Sequence, residues 1–432
     1  MEHAKRSFHD RSLAAARHKA RLPAQQHGPG MTQKGFARAV VAAQVLAQIG
    51  AFALAALLPG FIERWDLSSA QAGWMLGIFF AGYVAAVPVL VALTDRIPAR
   101  RVYLLGTACT TLSHLGFVLL ADGFWSGLAL RALAGIGWAG CYMPGLKVLA
   151  DRLTGDAQAR AVGWHAAGVG ISGAASFLVA GGLEAWAGPN AAFLFCAAAG
   201  AGAFAIGWAV MPRTVPPREG PAPTGLLDFR PVLRNRAAMA WITGYTFHTW
   251  EMAAVRAWGV TFLTVAAALH GAPAWLPAPS VLIALAGLLG IAVSLTGNEL
   301  SVRLGRMRMV SLATAAGALL SLGVGASIAL SAPLAALAVL AWYAAIFLDS
   351  SALTAGTVQA AEPGRRGATM GLHSMCGYAG GFMGPLAAGW ALDLFGRETV
   401  WGWALAFGHV APFLLFGLWL LRRLGRTAQQ PG

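Results

Sequence analysis

The stretch Pro212-Arg213-Thr214-Val215-Pro216-Pro217-Arg218-Glu219-Gly220-Pro221-Ala222-Pro223-Thr224-Gly225, continuing to Arg236, decides how the chain is organised. Residues 212–236 carry six prolines and five arginines, and a long apolar region lies on either side. Proline cannot continue a helix and glycine opens turns, so this segment reads as a linker. A membrane-spanning helix needs ~20 mostly apolar residues. Six such stretches precede the linker, at about 39–62, 70–93, 101–121, 124–150, 160–186 and 189–211. Six follow it, at about 238–266, 277–300, 308–330, 334–358, 368–395 and 399–421. The expectation is an all-α polytopic membrane protein of twelve spans in two six-helix halves. Its divisions are a basic N-terminal tail (1–36), a first half (37–211), the central loop (212–236), a second half (237–424) and a tail (425–432).

Composition agrees. Of 432 residues, 57% are apolar and 11% charged, with a mean hydropathy of +0.62. Soluble domains carry about 25% charged residues, so an ordinary soluble enzyme is excluded, and disordered chains are apolar-poor. The formal net charge of +14 suits either a nucleic-acid binder or a membrane protein with basic loops. Position decides between them. With the N-terminus placed inside, 27 of the 31 lysines and arginines fall in the tails and even-numbered loops, and only Arg64 and Arg397 in the outer loops. This is the positive-inside pattern, and it puts both termini in the cytoplasm with no nucleic-acid partner.

The remaining termini and cysteines add little chemistry. Residues 1–30 are basic and lack the apolar core of a secretory signal. They are expected to be a dispensable tail, or to precede a translation start at Met31. Cys109, Cys141, Cys196 and Cys376 lie inside apolar runs with no CxxC pair, so neither a metal site nor a disulfide framework is expected.

The halves repeat. Gly163-Trp164-His165, Gly173 and Gly181 match Gly371-Leu372-His373, Gly381 and Gly389 at one constant offset. Parallel six-span repeats suit a transporter with its site between them. Local motifs then carry a family resemblance. Asp95-Arg96-Ile97-Pro98-Ala99-Arg100-Arg101 resembles the Gly-x-x-x-Asp-Arg-x-Gly-Arg-Arg signature of the major facilitator superfamily, with Val91 and Pro98 in place of the glycines and Ala99 in place of the first arginine. Arg303-Leu304-Gly305-Arg306 is its second-half counterpart, with Val302 where the acid would stand. Arg131-Ala132-Leu133-Ala134-Gly135-Ile136-Gly137 and Gly380-Gly381-Phe382-Met383-Gly384-Pro385 resemble the family's span-4 and glycine-rich packing motifs. The resemblance covers about residues 36–424.

An ionisable residue at the bilayer centre costs roughly 2.5–3.5 kcal/mol, so each one needs a reason. Four stand inside spans: Arg131, Glu251, Arg256 and Asp349. The resemblance places all four at a central cavity lined by spans 1, 4, 7 and 10. Span 1 adds Gln44 and Gln48 on one face. Span 7 reads Tyr245-Thr246-Phe247-His248-Thr249-Trp250-Glu251, with His248 and Glu251 at i, i+3. A carboxylate beside a histidine in a dry cavity can bind and release a proton near neutral pH. Glu251 and Asp349 are therefore candidates for proton coupling, and a buried ion pair with an arginine is the structural alternative. Arg131 and Arg256 could hold an anion. His165 and His373 fall near the inner ends of spans 5 and 11, and with Asp95, Arg96, Arg100, Arg303 and Arg306 they are candidate gate residues. His114 and His409 read as core histidines. Trp65, Trp74, Trp125, Trp186, Trp275 and Trp401 fall where an interfacial belt belongs, while Trp250 and Trp342 lie deeper and could line the cavity. Gly377, Gly380, Gly381 and Gly384 form small-xxx-small pairs for helix packing.

The resulting expectation is a multi-pass protein of the inner (plasma) membrane, monomeric, moving a small and anionic solute by proton-coupled alternating access. A drug or metabolite efflux antiporter is the alternative. There is no Gly-x-x-x-x-Gly-Lys-(Ser/Thr) loop for ATP. No His-Glu-x-x-His or His-x-x-x-x-Asp pattern occurs, so an intramembrane enzyme is disfavoured, and no cofactor is expected. A channel would give no reason for the repeat.

Overall fold

The computed structural model describes residues 31–214 and 228–427. The readings made on the first thirty residues, on Arg218 and on the last five residues lie outside them. Among the described residues the regular structure is helical, with no strand.

Twelve helical spans follow one another. Spans 2 to 6 are Ser69–Leu93, Ala99–Leu119, Phe124–Arg152, Gly155–Ala187 and Pro189–Val210. Spans 7 to 11 are Arg236–His270, Pro279–Leu304, Arg306–Val324, Ala332–Ala360 and Arg366–Phe395. Span 12 is Val400–Gly408 followed by Val410–Thr427. Most overrun the apolar stretches by a turn or so, because a helix continues past the hydrocarbon while its backbone bonds are satisfied. Caps mark several starts: Ser68 and Gln71 form a capping box before span 2, and Asn235 accepts from Ala238 N at span 7.

Span 1 departs from expectation. It is three pieces, Gln33–Gln48, Ala53–Ala56 and Leu58–Arg64. A break at mid-depth frees backbone carbonyls that lipid cannot satisfy. Side chains from neighbouring spans take them over: Arg131 Nη2 donates to Ala51 O at 3.1 Å, and His114 Nε2 lies 3.1 Å from Gly50 O. His114 is thus a buried core histidine set between the Gly50 and Thr110 carbonyls. Among the described residues nine helices are long and apolar enough to cross a membrane on their own. Spans 1, 4 and 11 fall short, since span 1 is broken and glycine, tryptophan and charged residues dilute the other two.

Alternation of the spans gives two faces: a basic face with residues 33, 155, 214, 305 and 427, and an opposite face with residues 65, 123, 188, 275 and 397. Trp125, Trp186, Trp275 and Trp401, all above 70% exposed, ring the opposite face. Spans 1–6 pack as one bundle and 7–12 as another.

The halves join through span 2 on span 11 and span 5 on span 8, from the opposite face to mid-depth. Three of the six repeated glycines, Gly181, Gly381 and Gly389, lie at this contact. A Cβ at Gly389 would fall 2.4 Å from Ser69 O, and one at Gly181 would fall 2.1 Å from Ser280 Oγ. Two glycines matched in the repeat therefore meet two serines at matched span starts. Asp393 adds a cap across the halves, accepting from Ser69 N at 2.6 Å and Ala70 N at 2.8 Å. Gly380 and Gly384 seat span 11 against the Thr246 and Trp250 carbonyls of span 7, which is packing as expected.

Candidate functional site

Where the broken span 1 faces span 7, two arginines enter one small pocket between the halves. It is lined by Phe52 and Arg131 of the first half and by Arg256 and Pro385 of the second, among others. The Arg256 guanidinium lies 5.3 Å from the Phe52 ring and 5.5 Å from the Phe347 ring, so each half supplies one aromatic face. Among the described residues neither arginine has a carboxylate within salt-bridge distance. The structural alternative read from sequence, an acid paired with an arginine, is therefore not what is found. The two arginines differ in role. Arg131 is 3% exposed, lies over Phe79 and holds the span-1 break. Arg256 is more open and makes no such backbone bond.

Arg131 should accordingly be a stability residue. Arg131→Met leaves the Ala51 carbonyl without its donor, a loss of about 1–3 kcal/mol. A clear fall in Tm of the purified protein is expected, and an unchanged Tm would contradict this role.

Two turns below Arg256 on span 7, about 12 Å along the axis, lies a buried polar chain. His248 Nδ1 is 2.8 Å from Asp349 Oδ1 of span 10, and the two residues are 2% and 4% exposed. Thr314 Oγ1 donates to Asp349 Oδ2 at 3.2 Å. His248 stacks on Tyr245, and Tyr245 on His373 at 3.8 Å between centroids. His373 Nδ1 is 3.1 Å from Thr357 Oγ1. The i, i+3 pairing of His248 with Glu251 is thus corrected. Glu251 turns to span 10 instead, where Trp342 Nε1 donates to its Oε1 at 2.6 Å, and Gly317 of span 9 leaves the room. Glu251 and Trp342 are buried within the second half rather than lining the gap between halves. Trp250 likewise turns to span 12, where its indole donates to His409 Nε2 at 3.0 Å and stacks on Phe413.

In the first half, Gln44 and His165 are both fully buried, and neither amide atom of Gln44 nor either ring nitrogen of His165 has a protein partner. His165 stacks on Tyr142 at 5.3 Å. Gln48 lies one turn along and is 3.5 Å from Ser172 Oγ. His165 and His373 are thus core residues rather than end-of-span ones, because spans 5 and 11 begin ten and seven residues earlier, at Gly155 and Arg366. The basic-loop residues bond within their own halves. Arg100 donates to Trp208 O at 2.8 Å and lies over the Trp208 ring. Arg303 pairs with Glu299 at 3.0 Å, and Arg306 bonds Gln359. Arg96 is exposed beside Asp95 at the end of span 2.

Sequence reasoning singled out Tyr245 of span 7 as a candidate site residue and missed the other tyrosines. Tyr83 and Tyr378 lie 4.1 Å apart between centroids across the halves, and Tyr83 Oη is 3.3 Å from Ser374 Oγ. Tyr142 is within electrostatic reach of Tyr83, Tyr245 and Tyr378, and Arg256 within that of Tyr245, Tyr343 and Tyr378. Five of the chain's six tyrosines therefore gather about the gap.

Comparison with known proteins places the chain. The family model described as Major Facilitator Superfamily matches residues 40–385. Monocarboxylate transporter 11 of Homo sapiens is 32% identical over 126 residues, 29% of this chain and 26% of that protein. The Mus musculus protein of that name is 32% identical over 127 residues, 29% of this chain and 28% of its own. The chain thus matches about a quarter of the length of these relatives. Three solved structures share the fold. A bacterial homolog of the human lysosomal transporter Spinster, inward-facing and unoccupied, has TM-score 0.76 and 17% identity, covering 94% of this chain and 100% of that one. A point mutant of the nucleoside transporter NupG has TM-score 0.73 and 11% identity, covering 90% and 99%. A point mutant of the peptide transporter POT in complex with alafosfalin has TM-score 0.74 and 14% identity, covering 94% and 98%.

Proposed function

The chain belongs to the major facilitator superfamily of multi-pass membrane transporters, and on that premise we propose that it carries a small organic monocarboxylate by proton-coupled alternating access. The observation that carries the reading is Arg256: a guanidinium with no carboxylate partner among the described residues, set between Phe52 of one half and Phe347 of the other. A carboxylate is the ligand such a cation lacks, and its arrival would touch both halves at once. The aromatic walls suit an apolar body behind the carboxylate. The partial likeness to monocarboxylate transporters supports the same class.

Asp349 and His248 are the coupling pair in this reading. Asp349 holds the proton in one state and gives it up in the other, with His248 as the neighbour that exchanges it. Glu251 is a second acid that positions Trp342. The two halves, 37–211 and 237–424, rock about the pocket with 212–236 as tether. Gln44, Gln48 and Tyr245 support the walls, and Asp95, Arg96, Arg100, Arg303 and Arg306 brace the basic side. The 27-to-2 split of basic residues supports a plasma-membrane orientation with that side cytoplasmic. The monomer suffices, since both halves of the site come from one chain.

Uptake of labelled monocarboxylates into proteoliposomes tests the reading. Arg256→Gln should raise the KM for a carboxylate at least tenfold and leave a neutral amide analogue within about twofold, since a charge-assisted bond contributes roughly 1.5–3 kcal/mol. Equal loss for both would remove the anion from the proposal.

A further inference from the structure

On the basic face, spans 1 and 5 part around a cavity of about 520 Å³. Its walls divide by chemistry. Lys34 and Arg38 of span 1 and Arg160 of span 5 supply three exposed cations at its mouth, while Val41, Ala161 and Trp164 supply an apolar wall further along the same helices. The spacing builds this division. Positions 34, 38 and 41 share a face of span 1, and 157, 160, 161 and 164 share a face of span 5. Among the described residues one acid pairs with these cations: Asp156 Oδ2 is 3.9 Å from Arg160 Nη1, with both side chains well exposed. A pair so long and so solvated leaves the cationic cluster largely uncompensated. Trp164, 64% exposed beside these cations, is the kind of side chain that sits where headgroups meet acyl chains.

We propose that this cavity binds an anionic phospholipid of the leaflet on the basic face. The phosphate sits among Lys34, Arg38 and Arg160, and the upper acyl chain lies along Val41 and Trp164. Charge argues against the chain's own tail as occupant. Residues 1–30 lead into span 1 but carry Lys5, Arg6, Arg11, Arg17, Lys19 and Arg21 against Glu2 and Asp10, so they would meet like charge. A free phosphate would use the cations and leave the apolar wall uncovered. A bound lipid would tie span 1, which carries Gln44 and the mid-depth break, to span 5, which packs on the other half.

Native mass spectrometry of the full chain in detergent tests this without reference to transport. The probes are phosphatidylglycerol, phosphatidylcholine of the same chain length, and inorganic phosphate. Phosphatidylglycerol should be retained at least tenfold more tightly than phosphatidylcholine, and millimolar phosphate should not displace it. The triple variant Lys34→Gln, Arg38→Gln, Arg160→Gln should weaken it by on the order of a hundredfold and leave phosphatidylcholine unchanged. Ala42→Trp, which fills the cavity and keeps every charge, should weaken it too, and serves if the triple variant does not fold. Deleting residues 1–30 should leave the affinity within about twofold. Equal binding of the two lipids, parental binding in either variant, displacement by phosphate, or tight binding only after the deletion would each overturn the proposal.

Discussion

Asp349→Asn is expected to abolish proton-driven accumulation and to spare solute exchange. The asparagine keeps the size of the side chain and an oxygen to accept from Thr314, whose hydroxyl is 3.2 Å from Asp349 Oδ2. It cannot carry the proton. A carrier that couples through this acid then loses the step in which an empty, deprotonated site reorients, while exchange of one bound solute for another continues. Accumulation driven by an inward proton gradient should fall to the passive level. Counterflow of labelled solute against unlabelled solute at constant pH should stay within about threefold of the parent. His248, 2.8 Å away, gives a graded companion: His248→Gln should slow accumulation and shift its pH profile without abolishing it. Glu251→Gln retains an acceptor for the Trp342 indole and should keep gradient-driven uptake. Full accumulation in Asp349→Asn, or loss of exchange together with accumulation, would remove Asp349 from coupling.

Gly389→Leu, alone or with Gly181→Leu, is expected to prop the opposite face apart and stop the cycle. A Cβ at Gly389 would stand 2.4 Å from the Ser69 carbonyl, and one at Gly181 would stand 2.1 Å from Ser280 Oγ. The first neighbour is backbone and cannot rotate aside, so span 2 must move off span 11. Overpacking of this kind costs about 1–3 kcal/mol, and 1.4 kcal/mol is tenfold in a conformational equilibrium. The cost falls only on the state in which these spans touch, so the balance shifts to the state in which they part. Transport should drop more than tenfold in each variant. A cysteine placed at Ala257, in the arginine pocket and 5% exposed, should be labelled faster by an impermeant maleimide from the opposite face. Parental transport with unchanged labelling would show that the contact is not part of the cycle.

The repeat of glycines across 163–181 and 371–389 shows why part of this was legible in one sequence. Hydropathy gave twelve spans because lipid imposes one length on every crossing. The constant offset of the repeat pointed to the halves, and three of its glycines, Gly181, Gly381 and Gly389, proved to lie where the halves touch. What stayed hidden depends on contacts between spans. Gly50 and Pro59 hint at a weak point in span 1, but the residues between them are apolar and read as helix. Arg131 looked like a ligand because its partner, a backbone carbonyl of a broken helix, leaves no mark in sequence. His248 was paired with Glu251 because helical spacing reports only neighbours on one helix, and its partner Asp349 is 101 positions away. Apart from Tyr245, which stands in the polar stretch of span 7, the tyrosines carry no charge and fit no motif, so mid-span position was their one signal. Trp250 and Trp342 were placed in the cavity by depth alone, and depth does not say which way a side chain turns.

The test of carboxylate transport driven by protons is uptake by the purified chain in proteoliposomes, outside acidic and inside neutral, with a labelled aromatic or aliphatic monocarboxylate. The expected result is accumulation above the outside concentration that collapses when an uncoupler is added, and no accumulation of the matching amide. Uptake that never exceeds equilibrium, or that is the same with and without the uncoupler, would contradict it.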